Sequence, residues 1–250
     1  MSDYRLIAFD LDDTLAPSKS TMDASMVPVF AGLLQRYEVC VISGGQIGQF
    51  QEQFLASLGD VPAAALERLH LMPTCGTQYY RHREGEWARV YAEELDDDER
   101  ERALAALKSS ALALGLWESD TWGPALEDRG SQITYSALGQ QAPLEAKKAW
   151  DPAGAKKSAL RARVQQALPD LEVRSGGSTS IDVTRKGIDK AYGMTRLAAL
   201  TGIPLTQMLF VGDRLDPEGN DYPVVALGVP TRAVEGWQDT RSVIVELLGR

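Results

Sequence analysis

Cysteine and histidine are nearly missing from this chain, with two of each in 250 residues. Cys40 and Cys75 have no C-x-x-C spacing and no histidine at ligand distance in the sequence, which excludes a disulfide framework and a thiolate zinc centre. Both read as small buried hydrophobes. His70 and His82 show no partner and take no role. Positive charge is also scarce: 26 Lys and Arg stand against 35 Asp and Glu, a net charge of −9. That balance excludes the broad electrostatic footprint needed for nucleic acid or an anionic membrane. No apolar run approaches the length of a membrane span and no leader pattern precedes the first strand, so a cytoplasmic location is expected. Two glycine motifs fail on spacing: Gly44 to Gly48 is not a dinucleotide fingerprint, and Gly154 to Ser158 lacks the first glycine of a P-loop. An anionic substrate would have to be met locally, by a metal, a few cations and backbone N–H groups.

Against these absences, 44% apolar and 24% charged residues describe an ordinary folded protein. Short apolar runs alternate with amphipathic segments, the pattern of a parallel sheet covered on both faces. Strands are predicted over 6–10, 37–42, 69–73, 208–211 and 224–227, with helices over 24–35, 47–58, 190–200 and 240–248. Between these runs the texture changes. A hairpin over 79–91, helices over 96–114 and 155–168, and alternating strands near 132–138, 172–174 and 180–184, wet on one face, predict an inserted α+β unit. The expected organisation is a core of residues 1–82 and 186–250 interrupted by an insert of 83–185. Trp117, Trp122 and Trp150 read as core of that insert.

The first strand delivers two aspartates, Asp10 and Asp12, at its carboxyl end. Residues i and i+2 of an extended segment point to one side, so the pair can face one small site. Carboxylates that close favour either a cation between them or a shared proton. The first suits phosphate chemistry, and the second supplies a general acid. In an open α/β sheet, ligands bind at the carboxyl ends of the strands. That rule gathers Ser43 after the second strand, Asp213 after the fourth, and Lys190 at the start of the helix leading to it.

These residues, in the runs Asp10-Leu-Asp-Asp-Thr-Leu15, Ser43-Gly-Gly45, Lys190 and Gly212-Asp213 to Asn220-Asp221, resemble the motifs of the haloacid dehalogenase (HAD) superfamily of aspartate-nucleophile phosphotransferases. More narrowly, Glu127-Asp-Arg-Gly130, Gly176 to Val183 and Gly187-Ile-Asp-Lys190 are similar to eukaryotic-type phosphomannomutases, which carry an inserted C2B cap. The resemblance implies an α/β fold with a Rossmann-like parallel-sheet core and an α+β cap. It implies Asp10 as nucleophile and Asp12 as acid/base, with Ser43, Gly44 and Lys190 on the phosphoryl oxygens. Mg²⁺ would sit on the Asp10 carboxylate, the Asp12 backbone carbonyl and Asp213, with Asn220 or Asp221 beside them. A homodimer through the cap is a further implication.

The cap departs from the mutase pattern. Arg129, Ser180 and Asp182 match residues that grip the far side of a bound hexose phosphate, but Gln140 and Lys147 or Lys148 stand where arginines are expected. Glutamine carries no charge, and lysine lacks the planar fork of arginine. A mutase must hold a second phosphate to rebind its bisphosphate intermediate in reverse, whereas a phosphatase needs only water. The expectation is therefore a Mg²⁺-dependent phosphohydrolase acting on a sugar phosphate or similar small ester. A phosphomannomutase or phosphoglucomutase ranks second, and a non-catalytic sugar-phosphate sensor third.

Overall fold

A computed structural model describes residues 4–249. By contacts the chain divides into two compact units, Met1–Ala92 with Asp189–Arg250, and Glu93–Ile188. The first unit begins with β1 (Leu6–Phe9), α1 (Val27–Leu34), β2 (Glu38–Ile42), α2 (Ile47–Gln53), α3 (Ala63–Leu66), β3 (Leu69–Met72), β4 (Gln78–Arg83) and β5 (Glu86–Ala92). The second unit contains α4 (Asp97–Ala113), β6 (Leu126–Asp128), β7 (Gln132–Ser136), α5 (Leu144–Trp150), α6 (Ala155–Ala167), β8 (Leu171–Ser175) and β9 (Ser180–Arg185). The chain then returns to the first unit through α7 (Lys190–Thr201), β10 (Met208–Gly212), α8 (Tyr222–Ala226), β11 (Thr231–Ala233) and α9 (Trp237–Leu247).

The first unit is an α/β fold around a sheet of order β11-β10-β1-β2-β3-β4-β5. Pairing is parallel from β11 to β3 and antiparallel across β4 and β5. Alternate residues of β1, β2, β3 and β10 enter opposite cores, as the twofold period of a strand requires. Ile7, Phe9, Val39, Val41, Leu209 and Val211 pack on one face with α1 and α9. Leu6, Ala8, Cys40, Ile42, Met208 and Phe210 pack on the other with Met194 and Leu197 of α7. Strands buried on both faces explain the near-continuous apolar runs.

The predicted division after residue 82 falls inside β4, and the contact boundary lies at Ala92. The hairpin continues the first sheet, with His70 opposite Arg81 and Leu71 opposite Tyr80. Tyr91 completes the attachment by donating its hydroxyl to the Gly76 carbonyl at 2.7 Å. The run 224–227 is helical rather than a strand: Pro223 occupies the first turn of α8, where its missing N–H costs no hydrogen bond. The strand that does pair with β10 is β11, a three-residue edge too short to show a period. The helix expected over 47–58 ends at Gln53 and continues as a 3₁₀ turn over Leu55–Leu58.

In the second unit the antiparallel sheet runs β6-β7-β9-β8. Ile133, Tyr135, Ile181 and Val183 meet Ala103 and Leu107 of α4 and Leu160 and Val164 of α6 in one core. A reciprocal capping box between Asp96 and Glu99 starts α4. Trp117 and Trp150 pack against this core, but Trp122 is half exposed. On the opposite sheet face the β7 residues Gln132, Thr134 and Ser136 are buried where solvent is expected, while Glu172, Arg174, Ser180 and Asp182 are half-buried. The polar atoms of the β7 residues are satisfied in sequence, Gln132 Nε2 donating to Thr134 Oγ1 at 2.9 Å and Thr134 Oγ1 to Asp182 Oδ1 at 2.7 Å. Among the described residues no helix is long and apolar enough to cross a membrane.

His70 acquires partners only in the fold. It lies between the Glu38 carboxylate at 3.0 Å and the Tyr79 hydroxyl at 2.8 Å. Burial holds its pKa below the ordinary histidine value, against the pull of Glu38. Cys40 is buried as expected, but Cys75 is only partly so and adopts a left-handed backbone with φ 57°.

Gly193 sets how closely α7 approaches that turn. A Cβ there would lie 2.3 Å from Ile42 Cδ1 and 2.7 Å from the Cys75 carbonyl oxygen. Gly193→Ala is therefore expected to lower stability by about 1–3 kcal/mol through overpacking, read as a shifted urea midpoint with unchanged slope.

Candidate active site

The chain leaves β1 in one direction through β2 and β3 and returns on its other side through β10, so β1 stands where the strand order reverses. Ligand sites form at such a point. Asp10 follows β1 and donates its N–H to the Val211 carbonyl at 3.0 Å, so the ends of β1 and β10 stay in register. Asp213 follows β10 directly. The loop from Arg214 doubles back until the Asp221 carboxylate accepts the Arg214 N–H at 3.2 Å. Gly212 permits that return, because a Cβ on it would meet Asp221 Oδ2 at 2.4 Å. On the remaining side Asp189 caps α7, accepting the Tyr192 N–H at 3.0 Å, and places Lys190 as the first helical residue.

Lys190 Nζ lies 2.6 Å from Asp10 Oδ1 and 2.5 Å from Asp221 Oδ1. All three residues are at least 97% buried, with relative exposures of 1%, 3% and 0%. One oxygen each from Asp10, Asp213 and Asp221 lies within 4.8 Å of the others. Thr14 Oγ1 donates to Asp213 Oδ1 at 3.3 Å, tying the loop after β1 to the loop after β10.

Burial pushes the Asp10 carboxyl up to about 8, opposed by Lys190 and reinforced by Asp221. Asp213 is raised for the same first reason, with Asp221 adding to it. Burial disfavours the Lys190 ammonium, but Asp10 and Asp221 outweigh it and hold the group charged. Were all three carboxylates ionised, one ammonium would leave two negative charges in the cluster. A hard divalent cation with oxygen ligands fits both that charge and that donor set.

The fold therefore unites Asp10, Lys190, Asp213 and Asp221. It does not bring the Asp12 carboxylate into this cluster, although Asp12 stands two residues after Asp10. Strand β1 ends at Phe9, so the i, i+2 rule of an extended segment no longer governs the pair. Asp12 turns toward α2, accepting Gln49 Nε2 at 2.8 Å, Gln53 Nε2 at 3.2 Å and the Lys19 N–H at 2.8 Å. Asn220 is exposed, unlike its fully buried neighbour Asp221. Ser43 is buried with its Oγ accepting the Gly45 N–H at 3.1 Å, and Gly44 lies between them on the turn into α2. Gln49 and Gln53 escape a reading by motif. Their one signal is spacing, two amides four residues apart on the face of α2 that also buries Phe50.

Within the second unit the expected binding residues are ordered by local contacts. Arg129 Nη2 donates to Glu127 Oε2 at 2.6 Å. Lys147 Nζ reaches the Gln140 carbonyl at 2.8 Å. Ser180 and Asp182 lie opposite Ser136 and Thr134 across the β7–β9 ladder, and Arg174 of β8 lies opposite Asp182 on the other side.

The chain is similar to several known proteins. The family described as haloacid dehalogenase-like hydrolase matches residues 148–224, a span that includes Lys190, Asp213 and Asp221. Phosphomannomutase of Saccharomyces cerevisiae is 24% identical over 249 residues, covering 97% of this chain and 93% of its own. Among solved structures, IMP-bound IMP-nucleotidase of Plasmodium falciparum has a TM-score of 0.70 at 14% identity, covering 99% of this chain and 68% of that one. Trehalose-6-phosphate phosphatase of Aspergillus fumigatus has a TM-score of 0.56 at 17% identity, covering 99% of this chain and 94% of that one.

The raised Asp10 carboxyl has a testable sign. Its contribution to stability is complete below the ordinary value of 3.8 and is lost as pH rises through about 8. Relative to Asp10→Asn, cation-free protein should lose thermal stability between about pH 4 and 8, and Mg²⁺ should restore more of it at the alkaline end, where the ligands are deprotonated. Thermal melts in chelator and in MgCl₂ check this, and equal stabilisation by the ion at both ends would contradict it.

Proposed function

Because the chain is haloacid dehalogenase-like in sequence and fold, we propose that it is a Mg²⁺-dependent phosphohydrolase acting on a sugar phosphate or similar small phosphate ester through an aspartyl phosphate. The observation that carries this reading is the buried cluster of Asp10, Lys190, Asp213 and Asp221. Asp10 attacks phosphorus while the ester oxygen leaves, and Asp12 gives that oxygen a proton. Water, deprotonated by Asp12, then attacks the aspartyl phosphate, breaks its bond to Asp10 and releases inorganic phosphate. Splitting the displacement in two lowers each barrier.

Lys190 orients the attacking carboxylate through their 2.6 Å contact and presents its positive charge to the phosphoryl group. Ser43 Oγ and the Gly44 N–H take further phosphoryl oxygens. Asp10, Asp213 and Asp221 would hold Mg²⁺ together with the Asp12 backbone carbonyl, Asn220 lying at the rim. The ion supplies neutralisation of charge between the nucleophile and the phosphoryl group.

A second reading, a hexose-phosphate mutase, is favoured by the phosphomannomutase relatives. It returns the phosphoryl group to another hydroxyl of the sugar and so requires a second phosphate grip. Arg129, Lys147, Ser180 and Asp182 are the candidates for that grip, with Gln140 replacing a charged partner. A missing charge-assisted contact costs about 1.5–3 kcal/mol, or roughly ten- to hundredfold in affinity. We rank hydrolysis first on that ground.

Purified protein with Mg²⁺, mannose 1-phosphate or glucose 1-phosphate and trace hexose 1,6-bisphosphate should release inorganic phosphate without forming hexose 6-phosphate. Bisphosphate-dependent isomerisation would establish the mutase instead, and neither product across a panel of phosphate esters would point to a sensor. Asp10→Asn is expected to abolish turnover with the far-ultraviolet circular dichroism unchanged; retained activity removes Asp10 as nucleophile. Gln140→Arg should strengthen binding of bisphosphorylated sugars roughly tenfold or more, measured by calorimetry, and unaltered affinity removes Gln140 from the specificity argument.

A further inference from the structure

Asp12 sits in a closed ring of side-chain hydrogen bonds made with two glutamines. Gln49 Nε2 donates to Asp12 Oδ2 at 2.8 Å and to Gln53 Oε1 at 2.9 Å, while Gln53 Nε2 donates to Asp12 Oδ1 at 3.2 Å. The Lys19 N–H adds a second donor to Asp12 Oδ1 at 2.8 Å. Gln53 is 4% exposed, so its amide is committed to this ring rather than to solvent. Space for the ring is built into the turn before α2: a Cβ on Gly45 would lie 2.1 Å from Gln49 Oε1.

A buried amide is a specific choice of partner. Lysine or arginine would donate to a carboxylate but can accept nothing, so either would leave a protonated carboxyl without an acceptor for its O–H. An amide both donates and accepts, and a half-turn of its plane exchanges the two functions. The ring as it stands offers only donors to Asp12, which matches the ionised carboxylate.

We propose that Gln49 and Gln53 are positioning residues for Asp12, holding its carboxylate in place through this closed ring of donors. The inference rests on the reading of Asp12 as acid and base. In the first step the Asp12 proton passes to the departing ester oxygen, and both amides donate to the carboxylate that remains. In the second step Asp12 takes a proton from the attacking water as the new P–O bond forms and the bond to Asp10 breaks. The glutamines touch neither phosphorus nor the leaving group and act only through Asp12.

The test separates steps that need the proton from steps that do not. Gln49→Met and Gln53→Met keep side-chain length without hydrogen bonds. Single-turnover rates of Asp10 phosphorylation would be measured with phenyl phosphate and with 2,4-dinitrophenyl phosphate, whose leaving group departs without protonation. Loss of a positioned general acid predicts a fall of roughly ten- to hundredfold for phenyl phosphate and less than about threefold for the dinitrophenyl ester, with KM little changed. Asp12→Asn should show the same split more strongly. Equal losses on both esters, or no loss, in glutamine variants that melt like the parent would overturn the proposal while leaving Asp12 in its role. Absence of the split in Asp12→Asn would instead overturn the acid reading on which the proposal rests. Should Gln53→Met fail to fold because its site is buried, the half-buried Gln49→Met decides the outcome.

Discussion

A lysine ammonium shut away from water between two carboxylates is the interaction on which the first unit's functional rim depends. Lys190 reaches Asp10 and Asp221 at hydrogen-bond distance with almost no exposure. Removing one partner from such a group typically costs about 3–5 kcal/mol, because the remaining charge is left buried and uncompensated. The cluster therefore has to be assembled as a whole. Asp189 caps the helix that starts with Lys190, Gly193 lets that helix approach the turn at Cys75, and Gly212 leaves room for Asp221. Each is a backbone solution to the problem of bringing charge into a dry place.

The same constraint links stability to chemistry. Three carboxylates share one ammonium, and the Asp10 carboxyl is raised first by burial and then by the neighbouring Asp221, against the pull of Lys190. In the proposed mechanism Asp10 attacks as the ionised carboxylate, so whatever completes the charge balance would also arm it. Asp12 lives under different conditions: it is only half buried, lies outside the cluster and is held by neutral amides. Two aspartates two residues apart thus occupy environments suited to two different tasks, as in other sites where acid and nucleophile are separated by their surroundings.

Much of this was legible from local pattern. The buried strands β1, β2, β3 and β10 are near-continuous apolar runs, and their carboxyl ends pointed to Asp10, Ser43 and Asp213. The start of α7 at Lys190 was readable from the same alternating pattern. Less legible were short elements whose conformation depends on neighbours. The run 224–227 has the apolar content of a strand but becomes α8, and β11 is a strand only because β10 offers it an edge. The hairpin of β4 and β5 looked like the beginning of the insert because its exposed residues are polar, yet its backbone extends the first sheet. The polar face of β7 looked wet, although hydrogen bonds within it and to Asp182 of β9 allow it to be buried.

Residue order along the chain was enough to nominate phosphate chemistry, since an aspartate pair, a serine, a lysine and a second aspartate follow one another at strand ends of an alternating pattern. Which carboxylates meet is a matter of distance, and distance is set by where backbones bend. The end of β1 at Phe9 releases Asp12 from the side that Asp10 faces, and the doubled loop after β10 brings Asp221 onto Lys190 in place of the exposed Asn220. The glutamines of α2 enter for the same reason. Alone in the sequence they are ordinary polar residues, and they acquire a role only where a turn of the chain points a carboxylate at them.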